Sequence, residues 1–326
     1  MKDLIINFPN QLNDAINIGK NFELDASYLS VQNICISGLG GSGIGGDYVR
    51  LLARAHSHLP LLVNRDYQLP RFVNQNTLAI FSSYSGNTEE TLTSFEQAIA
   101  CRAKLICISS GGQLLARAKS LHIPYIQLPS GYPPRAALAY SVVQQLFILD
   151  AMNCLPSDTI SDLQIAIDTI IKLQNNIKQR AHEIVADLGN SLPIIYATSI
   201  YEPIAVRLRQ QLNENAKILC WHHVLPEMNH NEIVGWTETH PDKKVIFIYD
   251  TSQETQINKH TVFLKNVVSQ LCEKVLYIAP VGDTLLQKYF YLTHLVDWIS
   301  VLLAEERQQD ATQVEVINQL KSSLIS

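Results

Sequence analysis

Hydrophobic residues follow two patterns that alternate along the chain, one typical of strands and one typical of helices. Short apolar runs of strand length are each followed by a segment with helical periodicity, and this alternation predicts parallel sheets with helices on both faces. In the first half the predicted strands are Asn33–Ser37, Pro60–Asn64, Leu78–Ser82, Lys104–Ser109 and Tyr125–Leu128. The predicted helices of this half are Ser42–Ala55, Thr88–Cys101 and Ala136–Met152.

The same alternation restarts after a long predicted helix over Asp158–Leu188. Further strands are expected at Leu192–Thr198, Lys217–Trp221, Lys244–Tyr249 and Lys274–Ala279. Further helices are expected at Glu202–Asn213, Asn258–Leu271, Leu285–Ala304 and Thr312–Leu324. We therefore expect an α/β protein of two domains, residues 1–153 and 154–326, each a three-layer α/β/α sandwich, with the last helices added to the second domain.

Composition argues against several classes of protein. Of the 326 residues 47% are hydrophobic and 17% charged, which is the balance of a globular protein with buried cores. The net charge of −5 and the absence of a basic run make nucleic acid an unexpected partner. Six cysteines without a CxxC pair indicate reduced thiols and a cytoplasmic location.

No segment of the sequence is expected to enter a membrane. The N-terminal residues lack the basic flank and the continuous apolar core of a signal peptide. One long apolar segment, Leu285–Ala304, is interrupted by Gln287, Lys288, His294 and Asp297. Because charge at that depth is costly in lipid, we expect a buried helix there instead.

A glycine-rich turn, GLGGSGIGGD, follows the first predicted strand. Gly38, Gly40 and Gly43 match GxGxxG, which is typical of dinucleotide sites, and Asp66 lies near the distance expected for a ribose contact. That pattern alone is weak. The further glycines favour a turn at which a substrate approaches the backbone closely, with Ser42 supplying a hydroxyl.

A second turn, SSYSGNTEET, follows the third predicted strand and carries the hydroxyls of Ser83, Ser85 and Thr88. Asn87 and Glu90 match a capping box, so a plainly structural turn is one interpretation. Capping does not require the additional serines and the glycine just upstream. Hydroxyls at a helix start, together with its amide groups and its dipole, predict a site for a phosphomonoester.

Five motifs in this order, GLGGSGIGGD, SYSGNTEET, GYPPRAAL, LNENAK and PEMNHNEIVGW, resemble those of the bifunctional phosphoglucose/phosphomannose isomerases. The resemblance extends over nearly the whole chain. It implies two SIS (sugar isomerase) domains and reversible isomerisation of glucose 6-phosphate and mannose 6-phosphate to fructose 6-phosphate. It also implies an enzyme that uses no metal and no other cofactor. The family's phosphate-binding turn and its GGS turn beside the sugar correspond here to Ser83, Ser85, Thr88, Gly40, Gly41 and Ser42.

The catalytic residues implied by the resemblance are Glu214 in LNENAK, His230 in MNHNE and Arg135 after the paired prolines. Their chemistry suits the reaction. Moving a proton between C1 and C2 through an enediol needs one carboxylate that acts first as a base and then as an acid. The developing negative oxygen needs a fixed positive charge, and ring opening needs a group that titrates near neutrality, as histidine does.

One late helix departs from the family pattern. Archaeal members place a lysine and a threonine one to two turns apart on a late helix that lines the site. Lys288 and Thr293 lie on the corresponding predicted helix here, in a different order and at a different spacing. Lys288, Thr293 and His294 are therefore candidate contacts to the sugar, with Asp297 as a further substitute.

A histidine-rich segment allows another interpretation, which is a metal site. His222, His223, Glu227, His230 and Glu232 lie within eleven residues of one another. No HExxH or HxH spacing is present, and no cysteine stands nearby at ligand spacing. We therefore expect no metal here.

The expected assembly is a homodimer with shared active sites, since in the family the ring-opening histidine reaches the neighbouring subunit's site. The expected ligand is a small-molecule sugar phosphate. Two alternatives remain: an isomerase or amino-sugar enzyme acting on another phosphosugar, and a non-catalytic SIS-type sugar-phosphate sensor. The presence of both Glu214 and His230 favours the enzyme, because a sensor needs neither.

Overall fold

The computed structural model describes residues 1–251 and 256–323, which form two compact units. The N-terminal unit consists of Ile6–Ile171 and Asp283–Gln287, and the C-terminal unit of Met1–Ile5, Lys172–Gly282 and Lys288–Ser326. The units therefore separate at a point inside the long helix that follows residue 158. The domain boundary expected between residues 153 and 154 stays a prediction.

Strands and helices alternate in the first half of the chain. Two helices, α1 (Lys2–Ile6) and α2 (Phe8–Gly19), precede the first strand. The elements that follow are β1 (Asn33–Ser37), α3 (Gly40–Ala53), β2 (Leu61–Asn64), β3 (Thr77–Ser82), α4 (Glu89–Ala100), β4 (Lys104–Ser109), α5 (Gly112–Ser120), β5 (Tyr125–Gln127) and α6 (Leu138–Ala151). The predicted elements of this half are confirmed with small shifts at their ends. The prediction misses α5, because the two glycines at its start are typical of a loop.

The five strands form one parallel sheet in the order β2-β1-β3-β4-β5. Chain order reverses at the neighbouring strands β1 and β3, and a crevice opens at the carboxyl ends of strands arranged in this way. Phe81 of β3 lies in a buried cluster with Phe95 of α4 and Leu114 of α5. Ile36 of β1 faces the opposite way and meets Gly46 of α3. Helices thus cover both faces of the sheet.

The second half repeats the alternation. Its elements are α7 (Thr159–Leu188), β6 (Leu192–Thr198), α8 (Glu202–Ala216), β7 (Trp221–Leu225), β8 (His240–Ile248), α9 (Gln256–Val268), β9 (Cys272–Ile278), α10 (Leu285–Glu306) and α11 (Glu315–Ser323). The last predicted helix is therefore present, although its expected end at Leu324 lies outside the described residues.

The second sheet is parallel and has the order β7-β6-β8-β9, so its chain order reverses at β6 and β8. Tyr196 of β6 pairs with Phe247 of β8, and both lie in a buried cluster with Leu264 of α9. Ile195 and Ile246, on the other face, are also fully buried. The predicted pair of α/β sandwiches with parallel sheets is confirmed.

One predicted strand, Lys217–Trp221, is wrong, because β7 begins only at Trp221. Lys217 has a φ of +53° and ends α8 in the left-handed conformation. Ile218 then donates its backbone N–H to the carbonyl of Leu212, 3.4 Å away. This bond closes the last turn of α8, so the apolar residues after Lys217 end the helix and do not start a strand.

Helix α10 covers the long apolar segment and is buried over most of its length. The two charged residues within its apolar run have partners in the C-terminal unit: Lys288 binds Asp250, and Asp297 binds Arg207. Within the parts of the chain that the structure describes, no helix has both the length and the apolar run needed to cross a membrane.

Candidate active site

The glycine turn and the serine turn lie at the same edge of the N-terminal sheet. They follow β1 and β3, which are hydrogen-bonded neighbours whose last paired residues are Ser37 and Phe81. A Cβ atom on Gly38 would lie 2.8 Å from the carbonyl oxygen of Ser82, so the two turns start in close contact. This edge is the point at which strand order reverses, where open α/β sheets bind their ligands.

The glycine turn leads directly into α3. Gly40 has a φ of +53°, a conformation that favours glycine, and no side chain caps the helix start at Leu39. Ser42, in the first turn of α3, is buried with 7% of its surface exposed. The side-chain amide of Gln145, on α6, donates to the carbonyl oxygen of Ser42 at 3.3 Å and so connects the turn to α6.

The serine turn brings its hydroxyls together at the start of α4. The Oγ atom of Ser83 lies 2.8 Å from the Oγ1 atom of Thr88, and it accepts the backbone N–H of Gly86 at 3.1 Å. Ser85 is exposed, and its Oγ accepts the backbone N–H of Asn87 at 3.3 Å. Thr88, not Asn87, is the residue that precedes the helix, and its side chain forms no capping bond.

The capping-box interpretation of this turn is therefore wrong. The side chain of Asn87 accepts the backbone N–H of Gln113 at 3.0 Å, so it binds the neighbouring helix α5 and does not cap its own helix. The hydroxyls of Ser83 and Ser85 instead order the turn by accepting backbone N–H groups. A structural cap does not account for them.

A second glycine pair locks the serine turn in place, and sequence reasoning did not identify it. Gly86 and Gly112 both have a φ of +68°. A Cβ atom on Gly86 would overlap the carbonyl oxygen of Gly111, and one on Gly112 would overlap the carbonyl oxygen of Ser85. Leu114 donates its backbone N–H to the carbonyl of Gly86 at 2.9 Å. The signal that could have revealed this contact is the Gly111–Gly112 pair after β4.

Arg135 lies on a short 3₁₀ turn over Pro134–Ala136, with 7% of its surface exposed. Tyr84 of the serine turn donates its hydroxyl to the carbonyl of Pro129 at 2.8 Å and accepts the backbone N–H of Tyr132 at 3.0 Å. The carbonyl oxygen of Pro134 lies 3.4 Å from the position of a Cβ atom on Gly41. The arginine turn, the glycine turn and the serine turn are thus neighbours in the N-terminal unit.

Glu214 lies in the last turn of α8 and is half-buried. It lines a cleft of about 390 Å³, together with Asn213, Lys217 and residues 313–317. The ammonium group of Lys217 donates to the carbonyls of Asp310 at 3.0 Å and Gln313 at 2.7 Å, so it holds this terminal segment against the end of α8.

Helix α8 is fixed against α10 by buried polar contacts. The Nε of Arg207 and the Nε2 of Gln211 each donate to Asp297 Oδ1 at 2.8 Å. Asn215, next to Glu214, donates to the hydroxyl of Ser300 at 3.0 Å. These contacts set the rotation of α8 and therefore the position of the Glu214 carboxylate.

His230 ends a 3₁₀ turn over Glu227–His230, after β7, and its side chain is exposed. Its neighbours hold the turn. Met228 is fully buried, the side-chain amide of Asn229 lies 3.0 Å from His260 Nδ1, and Asn231 donates to Glu227 at 3.2 Å. The imidazole therefore projects from an ordered turn.

The candidate metal ligands do not form a metal site. Among the described residues, no group of three or more histidine, cysteine, aspartate or glutamate side chains is arranged to hold a metal ion. His222 and His223 are half-buried on β7. Burial, followed by the nearby charge of Arg209, lowers the pKa of His222 to about 4, and His223 Nδ1 accepts the backbone N–H of Val224 at 2.8 Å.

The late-helix candidates are engaged inside the C-terminal unit. Lys288 donates to Asp250 at 2.7 Å. Thr293 and His294 have no exposed surface; Thr293 donates to the carbonyl of Tyr289 at 2.7 Å, and Trp298 donates to His294 Nε2 at 3.2 Å. Burial lowers the pKa of His294 to about 4. These contacts give the three side chains structural roles, and a role in binding the sugar stays a prediction.

In a comparison with known proteins, both halves of the chain match a protein-domain family. Residues 27–153 match the SIS domain, and residues 177–324 match the bacterial phospho-glucose isomerase C-terminal SIS domain. A bifunctional phosphoglucose/phosphomannose isomerase of Caldicellulosiruptor bescii is 36% identical over 340 residues, covering 99% of this chain and 98% of that protein. The chain belongs to the bifunctional phosphoglucose/phosphomannose isomerase family. The resemblance inferred from its five motifs is confirmed, as are the two SIS domains.

Other relatives agree with this assignment. A phosphoglucose/phosphomannose isomerase of Aquifex aeolicus is 32% identical over 296 residues, which cover 90% of each chain. The C-terminal domain of glucosamine-fructose-6-phosphate aminotransferase from Francisella tularensis superposes with a TM-score of 0.78 at 17% identity, covering 95% of this chain and 97% of that one. At that identity the solved structure shows the shared fold.

Proposed function

We propose that this member of the phosphoglucose/phosphomannose isomerase family interconverts glucose 6-phosphate and mannose 6-phosphate with fructose 6-phosphate. Its family supports an aldose–ketose isomerase of phosphosugars. The observation that carries the proposal is the cluster of serine, glycine and arginine turns at the reversal point of the N-terminal sheet. This cluster offers a crevice with hydroxyls, a helix start and one guanidinium group.

The serine turn is proposed to bind the phosphate. Ser83, Ser85 and Thr88 supply hydroxyls, and the first amide groups of α4 add donors at the positive end of the helix dipole. Each hydrogen bond to a charged group contributes about 1.5–3 kcal/mol. The glycine turn over Gly40 and Gly41, with Ser42, lets the sugar lie close to the backbone.

Glu214 is proposed to move the proton. Its carboxylate removes the proton from C2 of the aldose while negative charge develops on O1, which the guanidinium of Arg135 stabilises. The hydroxyl proton of O2 passes to O1, and Glu214 returns its proton to C1 to give the ketose. This scheme contains no step that needs a metal.

A single enediol accounts for activity on two sugars. Glucose 6-phosphate and mannose 6-phosphate differ only in configuration at C2, and this carbon is planar in the enediol. The same intermediate therefore leads to either aldose, depending on the face that is protonated. One set of catalytic groups is sufficient for both reactions.

His230 is proposed to open the pyranose ring, because an imidazole can exchange a proton with the ring oxygen and the O1 hydroxyl near neutral pH. Its exposed position suits delivery to a neighbouring subunit. We therefore propose a homodimer in which each His230 serves the partner's site. A cytoplasmic location completes the proposal, supported by six cysteines that are all free thiols.

The proposal is tested by assaying dialysed, chelator-treated protein with glucose 6-phosphate and mannose 6-phosphate in parallel. We expect both to be converted to fructose 6-phosphate. Tight binding of either sugar phosphate without turnover would support the sensor alternative. Activity that returns only with added zinc would support the histidine-cluster alternative, and conversion of a different phosphosugar alone would change the substrate.

A further inference from the structure

Glu232 lies two residues after His230 and connects its segment to the second sheet. One carboxylate oxygen, Oε1, accepts two hydrogen bonds: from the hydroxyl of Tyr196 at 2.6 Å and from the indole Nε1 of Trp221 at 3.1 Å. Tyr196 belongs to the central strand β6, and Trp221 to the edge strand β7. The carboxylate therefore spans two neighbouring strands.

The hydroxyl of Tyr196 also binds a residue that follows Glu232 in the chain. Trp236 donates its indole Nε1 to the hydroxyl of Tyr196 at 2.9 Å, so this hydroxyl accepts from Trp236 while it donates to Glu232. Tyr196 is fully buried and Trp236 has 8% of its surface exposed. Burial and the nearby carboxylate raise the pKa of Tyr196, which keeps the phenol protonated and able to donate.

The short stretch that carries His230 is held both before and after it in the chain. Residues 229–231 carry the exposed imidazole, Met228 is buried before them, and Glu232 and Trp236 are bound to Tyr196 after them. The backbone N–H of Glu232 also donates to Asn231 Oδ1 at 2.6 Å. An acid–base group needs a fixed position to work, and misplacement by about 1 Å can cost on the order of 10²-fold in rate.

We infer that Glu232 is a positioning residue for ring opening, holding the His230 turn in its working geometry through Tyr196 and Trp221. This inference rests on the proposed function, in which His230 opens the sugar ring. The carboxylate acts as an acceptor for one buried donor, Tyr196, and one exposed donor, Trp221, so an amide oxygen at the same place can replace it. An alanine cannot.

Ring opening can be measured apart from proton transfer. Exchange between the α and β anomers of glucose 6-phosphate requires the ring to open and close, but it does not break a C–H bond. In a Glu214→Gln background, isomerisation is slowed on the order of 10²–10⁴-fold, and catalysed anomer exchange can be followed by magnetisation-transfer NMR, after subtraction of the spontaneous rate. The compared proteins are Glu214→Gln alone and its combinations with Glu232→Ala, Glu232→Gln, Tyr196→Phe and His230→Ala.

We expect Glu214→Gln alone to catalyse exchange, and the added His230→Ala to abolish it. Addition of Glu232→Ala or Tyr196→Phe should slow exchange on the order of 10–100-fold while glucose 6-phosphate binding changes less than about threefold. Addition of Glu232→Gln should restore exchange to within about threefold of the background. The amide oxygen keeps both hydrogen bonds, so this rescue separates positioning from charge.

The outcomes separate this inference from the proposed function. Unchanged exchange with Glu232→Ala, or equal losses with Glu232→Ala and Glu232→Gln, would overturn the positioning role. No catalysed exchange in Glu214→Gln itself, despite binding of glucose 6-phosphate, would overturn the ring-opening role of His230 and the inference with it. Folding of Glu232→Ala is checked by near-ultraviolet circular dichroism. If this variant does not fold, the decision rests on Tyr196→Phe and Glu232→Gln: slow exchange in the first with near-normal exchange in the second supports the positioning role.

Discussion

Single residues of the proposed site differ sharply in how the fold holds them. Arg135 is buried, and Tyr84 of the serine turn binds the segment just before it. Glu214 is half-buried at the end of a helix whose rotation is fixed by buried polar contacts. His230 is exposed on a turn bound from both sides. The proposed acid–base groups are therefore held by networks, and each can be removed without disturbing a large apolar core.

Glu214→Gln tests the proposed base. The amide cannot accept the C2 proton, so kcat should fall on the order of 10²–10⁴-fold while KM changes little. The measurement is steady-state conversion of glucose 6-phosphate, compared with Glu202→Gln at the other end of the same helix, which should be nearly normal. Turnover close to that of the unmodified protein would remove Glu214 from the mechanism.

Ser85→Ala with Thr88→Ala tests the phosphate site. The double variant lacks two donors at the start of α4, and each bond to a charged ligand contributes about 1.5–3 kcal/mol, so affinity for fructose 6-phosphate should fall by at least tenfold. Calorimetric titration measures the change, with Thr93→Ala on the exposed side of the same helix as the control. An unchanged affinity would place the phosphate elsewhere.

Among the elements, the two loops after β3 and β4 form one interlocked structure. Gly86 and Gly112 have positive φ angles, and each backbone approaches the other too closely for a side chain. The backbone N–H of Ser110 donates to the carbonyl of Tyr84 at 3.0 Å and fastens the same pair of loops. The proposed phosphate turn is thus held rigidly by its neighbour.

Gly86→Ala should destabilise the N-terminal unit more than Gly131→Ala does. Both glycines have positive φ, which costs an alanine roughly 1–2 kcal/mol. Only at Gly86 does the new Cβ meet a neighbouring carbonyl, whereas nothing lies within 4 Å of a Cβ on Gly131. Overpacking adds roughly 1–3 kcal/mol. Equal midpoints in thermal or urea unfolding would show that the loops separate at little cost.

Element type was predictable where periodicity and turn chemistry agreed, as in β1, β3 and α4. The prediction failed at Lys217–Trp221, because the apolar residues there close a helix that is capped by a left-handed lysine. No local sequence pattern distinguishes such a helix end from a strand. The prediction also failed at α5, whose opening glycines serve a contact with another loop. The first failure comes from a left-handed residue that closes its own helix, and the second comes from a contact between two loops that are distant in sequence.

Candidate site residues could be named from the sequence only where motifs carry them. The hydroxyls near β3 could be inferred from residue type and position, whereas the roles assigned to Glu214 and His230 depended on family resemblance. Sequence could not show that Thr293 and His294 are buried against internal partners, nor that Glu232 binds Tyr196. Those contacts depend on how the chain packs, which no local pattern encodes.

At the scale of the whole molecule, the first four strands of the N-terminal sheet and the four strands of the C-terminal sheet have the same order. The two units differ in the loops after their central strands. In the C-terminal sheet, β8 leads into Tyr249–Thr251, and the Asp250 carboxylate accepts from Tyr201 at 3.0 Å and Lys288 at 2.7 Å. The Lys288 ammonium is paired with Asp250, so this ion pair carries no net positive charge with which to attract a phosphate. We therefore expect one sugar phosphate per chain, bound by the N-terminal unit.

The proposed homodimer predicts complementation between inactive subunits. If each His230 serves the partner's site, mixing Glu214→Gln with His230→Ala subunits gives heterodimers with one site that carries both lesions and one that is intact. After random exchange, activity should approach about a quarter of the unmodified level per subunit. Mass spectrometry verifies exchange. Mixtures that exchange fully and stay inactive would show that each site is built within one chain.

The most direct test of the account follows deuterium from solvent. Fructose 6-phosphate is incubated with the protein in D₂O, and the products are analysed by NMR. Proton transfer through an enediol predicts both glucose 6-phosphate and mannose 6-phosphate, each carrying deuterium at C2, because Glu214 exchanges its proton with solvent. Formation of both aldoses with hydrogen still fully retained at C2 after many rounds of interconversion would indicate hydride transfer and contradict the enediol mechanism, and the absence of both aldoses would contradict the proposed function.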